Sequence, residues 1–294
     1  MIQSVLSKLM CRYHDARLRS FGDHPAWARV PGGFEMFIDP SDELDRKFYL
    51  GTFEPALCAL IAQTVQRGDT CLDIGAQKGY VTLTLAQAVG REGRVFSFEP
   101  DRRAAESLKA NIDRADHGFI KVFSHALGEK EGSCSFTLSK VPGWSSRFPN
   151  ELAKTAVAEE VEVQISSLDG MIARKEVSID TGKLSFIKLD AEGSEPFILK
   201  GMKDLLSATN PVLFLEVNYD SLAAAGSSPR EIEEILKSHG MEIYRPKFRP
   251  YSRKLSLHSV VDLDSLHVPL RLFVNVVTFR NSIQRVNQLI SRGI

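Results

Sequence analysis

A chain of 294 residues that is 43% hydrophobic and 25% charged holds enough apolar material for one large core or two small ones, which excludes wholesale disorder. Thirty-seven Lys and Arg balance thirty-seven Asp and Glu, so no overall positive field exists to gather phosphate backbones, and a general nucleic-acid binder is disfavoured. No apolar run approaches the roughly 20 residues of a membrane-crossing helix, and Cys11, Cys58, Cys71 and Cys134 never fall as C-x-x-C, so neither a zinc site nor a disulfide framework is written and a cytoplasmic location is expected.

Residues 1–20 place Ile2, Val5, Leu6, Leu9, Met10 and Tyr13 at helical spacing among Lys8, Arg12, Arg17 and Arg19, the pattern of a basic amphipathic helix. Ser4, Ser7 and Lys8 interrupt any signal-peptide apolar region, and the apolar stripe is expected to pack on the domain rather than on a membrane surface. From about residue 70, short β-rich runs alternate with helical patterns, as a parallel sheet covered by helices requires. Strands are expected at Thr70 to Ile74, Arg94 to Phe98 and Phe119 to Phe123, with helices from Tyr80 to Val89 and after Pro100 and Asp101. The alternation then breaks. Ser133 to Leu138 and Val161 to Ile165 read as a hairpin-like insertion around a polar segment with Val141, Pro142, Gly143, Trp144, Ser145 and Ser146, long enough to close over a substrate. Asp169 is expected to cap a short helix. The pattern resumes with strands at Leu184 to Leu189, Pro211 to Val217, Met241 to Arg245 and Leu272 to Phe279, and helices from Pro196 to Leu206 and from Pro229 to His239. The basic stretch from Arg245 to Lys254 reads as a solvated loop. The expected organisation is one α/β domain over residues 50–294 after an amino-terminal extension, residues 1–49.

Asp73-Ile74-Gly75-Ala76-Gln77-Lys78-Gly79 falls at a strand-to-helix turn, where amides and the helix dipole face a crevice at the strand carboxyl ends. Gln77 stands where a dinucleotide fingerprint needs its second glycine, which disfavours a pyrophosphate ligand. Asp73 is placed to face a cationic amino group. Glu99 ends the second strand at the position from which a βαβ carboxylate accepts hydrogen bonds from both ribose hydroxyls, so the pair of features points to a nucleoside cofactor. His125 and Ala126 follow the third strand at the same sheet edge and would flank an adenine. Asp190, Glu192 and Glu195 gather at the end of the strand Leu184 to Leu189. Such a cluster is costly without a compensating cation, proton or donor, and its carboxylates can orient or deprotonate a hydroxyl. Helix-start chemistry is the alternative for Glu195, which precedes Pro196. Glu54 and Glu216 are further candidates for the substrate side. A divalent ion on the same oxygens stays open and outside the reading, and no metal ligand is assigned.

In order and spacing, GTFEP at 51–55, GDTCLDIGAQKGY at 68–80, FEP at 98–100, Asn111, ALG at 126–128, SLD at 167–169, IKLDAEGSE at 187–195, Gly201 and LEV at 215–217 resemble the FkbM family of S-adenosylmethionine-dependent methyltransferases over roughly residues 35–280. The resemblance implies a Rossmann-like class I fold: a mostly parallel seven-stranded sheet, helices on both faces and a β-hairpin insertion. It implies that Asp73, Gly75, Ala76, Gln77, Gly79 and Tyr80 form the cofactor loop around the methionine portion, with Glu99 on the ribose and His125 and Ala126 at the adenine. Asp190, Glu192 and Glu195 would carry the chemistry of methyl transfer to a hydroxyl of a small molecule: a sugar, glycolipid or natural product. The pair Gln77-Lys78 departs from the family, which more often carries Asn and a small or apolar residue there. Two rivals keep the same sheet, an NAD-dependent oxidoreductase and a cofactor-binding interaction module without chemistry. Neither the acceptor's identity nor the oligomeric state is legible.

Overall fold

The computed structural model describes residues 2–115, 117–249, 254–266 and 273–280. Its centre is a sheet whose strands, in chain order, are β1 (Thr70–Ile74), β2 (Arg94–Phe98), β3 (Ile120–Phe123), β4 (Leu184–Leu189), β5 (Val212–Asn218), β6 (Met241–Arg249), β7 (Lys254–Val260) and β8 (Phe273–Arg280). They lie side by side as β7-β6-β8-β5-β4-β1-β2-β3. The five strands from β5 through β3 pair in parallel, and the pairs β5 with β8, β8 with β6 and β6 with β7 are antiparallel. This is the helix-covered, mostly parallel sheet that the alternation predicts, in the Rossmann-like form that the resemblance implies.

The parallel strands are nearly continuous apolar runs because both faces are covered. Cys71 and Phe186 enter one core with Leu57, Leu83 and Phe279, while Leu72, Ile74, Ile187 and Leu189 enter the other with Ile198, Leu205 and Leu215. Each such side chain contributes roughly 1.5–3 kcal/mol when fully buried. The helices Tyr80–Val89 and Arg102–Ala115 follow β1 and β2. The insertion is a three-stranded sheet. Gly132–Ser139 pairs antiparallel with Val157–Ser166, whose other edge takes the short parallel strand Ala126–Leu127.

Four expectations need correction. The main sheet has one strand more than seven: β6 continues through Arg249 and pairs with β7, so the basic stretch is largely hairpin, with residues 250–253 outside the described set. The missed signal is the alternation in β7, whose Leu255 and Leu257 pack on the core. The helix predicted over Pro196 to Leu206 is two helices, Glu195–Gly201 and Lys203–Ala208, separated at Met202 with φ −125° and ψ 26°. The cap of Leu168–Ala173 is Ser167, whose hydroxyl accepts from the Gly170 amide. Asp169 instead accepts from the amides of Asp204 and Leu205, at 2.8 and 3.0 Å, and so starts the neighbouring helix. Finally, the helix Ile2–Phe21 leaves two residues of its stripe, Met10 and Tyr13, exposed. It docks by its last turn, with Phe21 against the Tyr49 ring and the Arg17 guanidinium 4.4 Å above the same ring. No helix among the described residues is long and apolar enough to cross a membrane.

Residues 26–54 fold back towards the sheet. The hairpin of Ala26–Arg29 and Glu35–Ile38 buries Met36 and Ile38 in the first core, and the helix Glu43–Leu50 buries Phe48 beside it.

Candidate active site

The strand order reverses between β1 and β4, since β1 leads outward to β2 and β3 on one side and β4 and β5 lie on the other. That reversal opens a crevice at the strand carboxyl ends. A cavity of about 430 Å³ fills it, within the range of small-molecule sites. Gly75, Ala76, Gln77, Tyr80, Glu99, His125, Ala126, Asp190 and Glu192 are on its wall, so one cavity gathers most of the residues singled out from sequence.

The loop after β1 is shaped by backbone that tolerates little else. Gly75 has φ +76°, and a Cβ built there would lie 1.8 Å from the carbonyl oxygen of Asp190. The amides of Gly75 and Ala76 both donate to the Phe98 carbonyl, at 2.9 and 3.0 Å, which sews the loop to β2. Gln77 takes φ +50° and its amide donates to Glu99 Oε2 at 2.7 Å. Gly79 precedes the helix Tyr80–Val89 with φ +93°, and a Cβ there would meet Leu108 at 2.3 Å. Gly79 therefore acts through helix packing and is not on the cavity wall. The loop is also held from outside. Lys78 forms ion pairs with Asp42 and, at 2.8 Å, Asp45, and its carbonyl accepts from Asn111, whose Oδ1 accepts from the Phe37 amide.

Glu99 is buried and presents to the cavity a carboxylate whose Oε1 accepts from the Asp101 amide at 2.8 Å. Burial pushes its carboxyl up to about 7 against the lowering effect of the two amide bonds. Each oxygen keeps a lone pair for a hydroxyl donor. On the same side, after β3, His125 and Ala126 line the cavity, and His125 Nδ1 is buried with no hydrogen-bond partner.

The opposite wall is acidic. Asp190, Glu192 and Glu216 each offer a carboxylate oxygen within 4.8 Å of the others, and Glu54 lines the same end. Such a set suits a divalent cation, a cationic group or a hydroxyl donor. Burial, followed by the charge of Asp190, raises the carboxyls of Glu192 and Glu216. Burial and Asp190 likewise push Glu54 up to about 7. Glu192 Oε2 accepts from Asn218 at 3.1 Å and Ser221 at 3.2 Å, and Glu54 Oε2 accepts from Asn275 at 2.9 Å.

Beneath this wall lies a buried lysine. Lys188 stands opposite Asp73 in the β1 to β4 register. Its ammonium donates to the carbonyls of Gly75 at 2.5 Å and Ile74 at 3.3 Å, and lies 3.3 Å from Asp190 and 3.7 Å from Asp73. Burial would pull its pKa down, but the Asp190 and Asp73 carboxylates outweigh that and raise it. Asp73 is wholly buried, with Oδ2 accepting from Thr82 at 2.6 Å. It therefore sits under the loop, away from the cavity wall, and the expectation that it faces a ligand amine gives way to a role in holding Lys188 and the helix start. Glu195 also lies apart from the other acids. Its oxygens accept from the amides of Ala191 at 2.8 Å and Gly193 at 2.9 Å, so it shapes the turn that carries Asp190 and Glu192. Burial pushes its carboxyl up to about 7. Sequence reasoning passed over Lys188, although a lone charge in the apolar run of β4 was its signal.

A profile described as "Methyltransferase FkbM domain" matches residues 73–243, from the aspartate beneath the loop after β1 to the third residue of β6. The chain belongs to this family. Hexuronic acid methyltransferase AglP of Haloferax volcanii is 26% identical over 183 residues, 62% of this chain and 67% of that protein. A protein of Saccharolobus solfataricus described as "Probable cobalt-precorrin-6B C(15)-methyltransferase (decarboxylating)" is 24% identical over 59% of this chain and 90% of its own. Among solved structures, an S-adenosylmethionine-dependent O-methyltransferase of Thermotoga maritima aligns over 87% of this chain and 77% of its own, with 13% identity and a TM-score of 0.41, a likeness too remote to bear on chemistry.

Membership gives the scattered motifs of this FkbM methyltransferase a physical sense. Asn111 joins the amino-terminal hairpin to the loop Gly75–Gly79, Asp169 starts the helix Lys203–Ala208, and Lys78 ties the helix Glu43–Leu50 to the same loop. That helix and the turn after it supply Leu44, Lys47, Phe48, Phe53 and Glu54 to the cavity wall.

Proposed function

We propose that this methyltransferase moves the methyl group of S-adenosylmethionine to a hydroxyl oxygen of a small molecule, a sugar, glycolipid or natural product, in the cytoplasm. Residues 50–294 form the transferase domain in this reading, and residues 1–49 an extension. The observation that carries it is the division of one cavity into a wall with a buried carboxylate and an unsatisfied imidazole nitrogen, and a facing wall of acids. A nucleoside diol meets Glu99, adenine meets His125 and Ala126, and the amino-acid part lies along Gly75 to Gln77. When bound, the cofactor supplies an electrophilic methyl carbon on a sulfonium.

This chain's residues then have three tasks. They place the acceptor oxygen in line with the methyl carbon, take its proton and keep water out. Asp190 and Glu192 are the groups placed to receive that proton, with Glu216 and Glu54 binding other acceptor hydroxyls. Lys188 is the positioning residue that ties Asp190 and the Gly75 carbonyl to Asp73 beneath the loop. AglP acts on a hexuronic acid by its name, which supports a sugar acceptor. Gln77, with φ +50°, leaves no close glycine approach for a pyrophosphate and argues against an NAD-dependent oxidoreductase.

Asp190→Asn preserves shape and removes the proton acceptor. We expect S-adenosylhomocysteine affinity within about threefold of wild type and a turnover loss of roughly 10²- to 10⁴-fold, the usual range for a positioned acid or base, measured by isotopic methyl transfer to a panel of sugar acceptors. Undiminished turnover would remove Asp190 from the chemistry. A protein that transfers no methyl group in any form would point to the interaction module.

A further inference from the structure

Residues 140–150, the first part of the segment between the two long strands of the insertion, line the cavity as a strap, and two adjacent serines fasten them to its two sides. On the Glu99 side, Ser145 Oγ donates to Asp101 Oδ2 at 2.8 Å and accepts from the Ser139 amide at 3.0 Å. Asp101 in turn donates its amide to Glu99, and Arg103 bridges Asp101 and the Ser139 carbonyl, at 2.8 and 3.0 Å. On the acidic side, Ser146 Oγ donates to the carbonyl of Glu192 at 2.8 Å and accepts from the Phe148 amide at 2.9 Å. Ser146 is buried, and Glu192 holds φ +47°, a conformation uncommon for a residue with a side chain, at the very carbonyl that receives this bond. Farther along, Asn150 donates to Ser221, itself a donor to the Glu192 carboxylate. Around these fastenings Pro142, Gly143, Trp144 and Arg147 line the cavity, and the Arg147 guanidinium is pinned over the Phe148 ring at 4.8 Å.

We infer that Ser145 and Ser146 are positioning residues that latch this strap across the nucleoside side and the acceptor side together, so that a bound nucleoside leaves only after the strap lifts. The inference rests on the cofactor reading above and adds a residence-time function to the insertion. Because a latch acts on the closed complex, its loss speeds departure and leaves arrival nearly unchanged. One hydrogen bond of ordinary worth corresponds to roughly a fivefold change in rate.

Two measurements test it on the full-length protein. Trp27 and Trp144 are its two tryptophans, so Trp27→Phe leaves Trp144 as the fluorescent reporter in stopped-flow mixing with S-adenosylhomocysteine. Ser145→Ala and Ser146→Ala are each expected to raise the dissociation rate about fivefold or more, with the association rate within about twofold, and Ser145→Thr, which keeps the hydroxyl, to restore the slow rate. Amide hydrogen exchange on the ligand-free protein is expected to accelerate over residues 140–150 in both alanine variants and to stay unchanged in β1 and β4. Unaltered exchange in that segment, or unaltered dissociation from a protein that binds the nucleoside, overturns the latch. If exchange responds as expected but the wild type gives no signal with S-adenosylhomocysteine, the cofactor reading fails, and with it the retention role.

Discussion

Gly75→Ala is expected to abolish measurable S-adenosylhomocysteine binding and to lower the thermal unfolding midpoint. The added methyl would need to occupy space 1.8 Å from the Asp190 carbonyl oxygen, at φ +76°. An L residue in that conformation costs about 1–2 kcal/mol by itself, and forcing two packed backbones apart costs about 1–3 kcal/mol more. The two strand ends that must separate are β1, which carries the cofactor loop, and β4, which carries Asp190. The strain therefore falls on both halves of the site. Gly68→Ala is the control, since Gly68 has φ +86° with nothing within 4 Å of its Cβ position. It carries the conformational cost alone, should lose about 1–2 kcal/mol and should keep its affinity. Calorimetric unfolding and nucleoside titration of the pair check this, and indistinguishable behaviour of the two variants would refute the close approach.

The second large effect belongs to Lys188→Met. The replacement fills similar space but removes the one cation set between Asp73, which is wholly buried, and Asp190. Breaking a buried pair from one side typically costs about 3–5 kcal/mol because a charge is left uncompensated. Asp73→Asn in the same chain removes that charge while keeping an acceptor for Thr82. The double variant is expected to recover part of the loss, giving a coupling of about 0.5–3 kcal/mol in a double-mutant cycle by denaturant unfolding. Additive losses would mean that the cross-strand pair is not coupled. Lys188→Met should also suppress turnover, because the ammonium that anchors Asp190 and the Gly75 carbonyl is lost.

The parts of this fold legible in sequence are those governed by neighbours in the chain. The apolar runs at Thr70–Ile74, Arg94–Phe98 and Leu184–Leu189 mark strands buried on both faces, and the loop from Gly75 to Gly79 places itself, because a turn from strand to helix leaves few other uses for those glycines. Glu99 follows from its place at the end of β2. What was hidden depends on register and on long loops. Nothing local says that Asp73 will stand opposite Lys188, which is why Asp73 reads from sequence as a ligand contact and proves to be a buried partner. Glu195 sits among acids in sequence, yet one turn of backbone redirects it to the amides of Ala191 and Gly193. The Glu54 bond to Asn275 joins residues 221 positions apart, and the return of residues 26–54 onto the cavity carries no periodic signal that a short window reveals.

The central claim, a nucleoside gripped at the sheet edge by Glu99, is tested most directly by titrating S-adenosylhomocysteine and NAD into the wild type and Glu99→Ala by calorimetry. We predict saturable binding of S-adenosylhomocysteine in preference to NAD, weakened in the variant by roughly 1.5–3 kcal/mol through loss of hydrogen bonds to a charged group, about ten- to a hundredfold in Kd. Equal affinity of the two proteins for S-adenosylhomocysteine, or a preference for NAD, would contradict it.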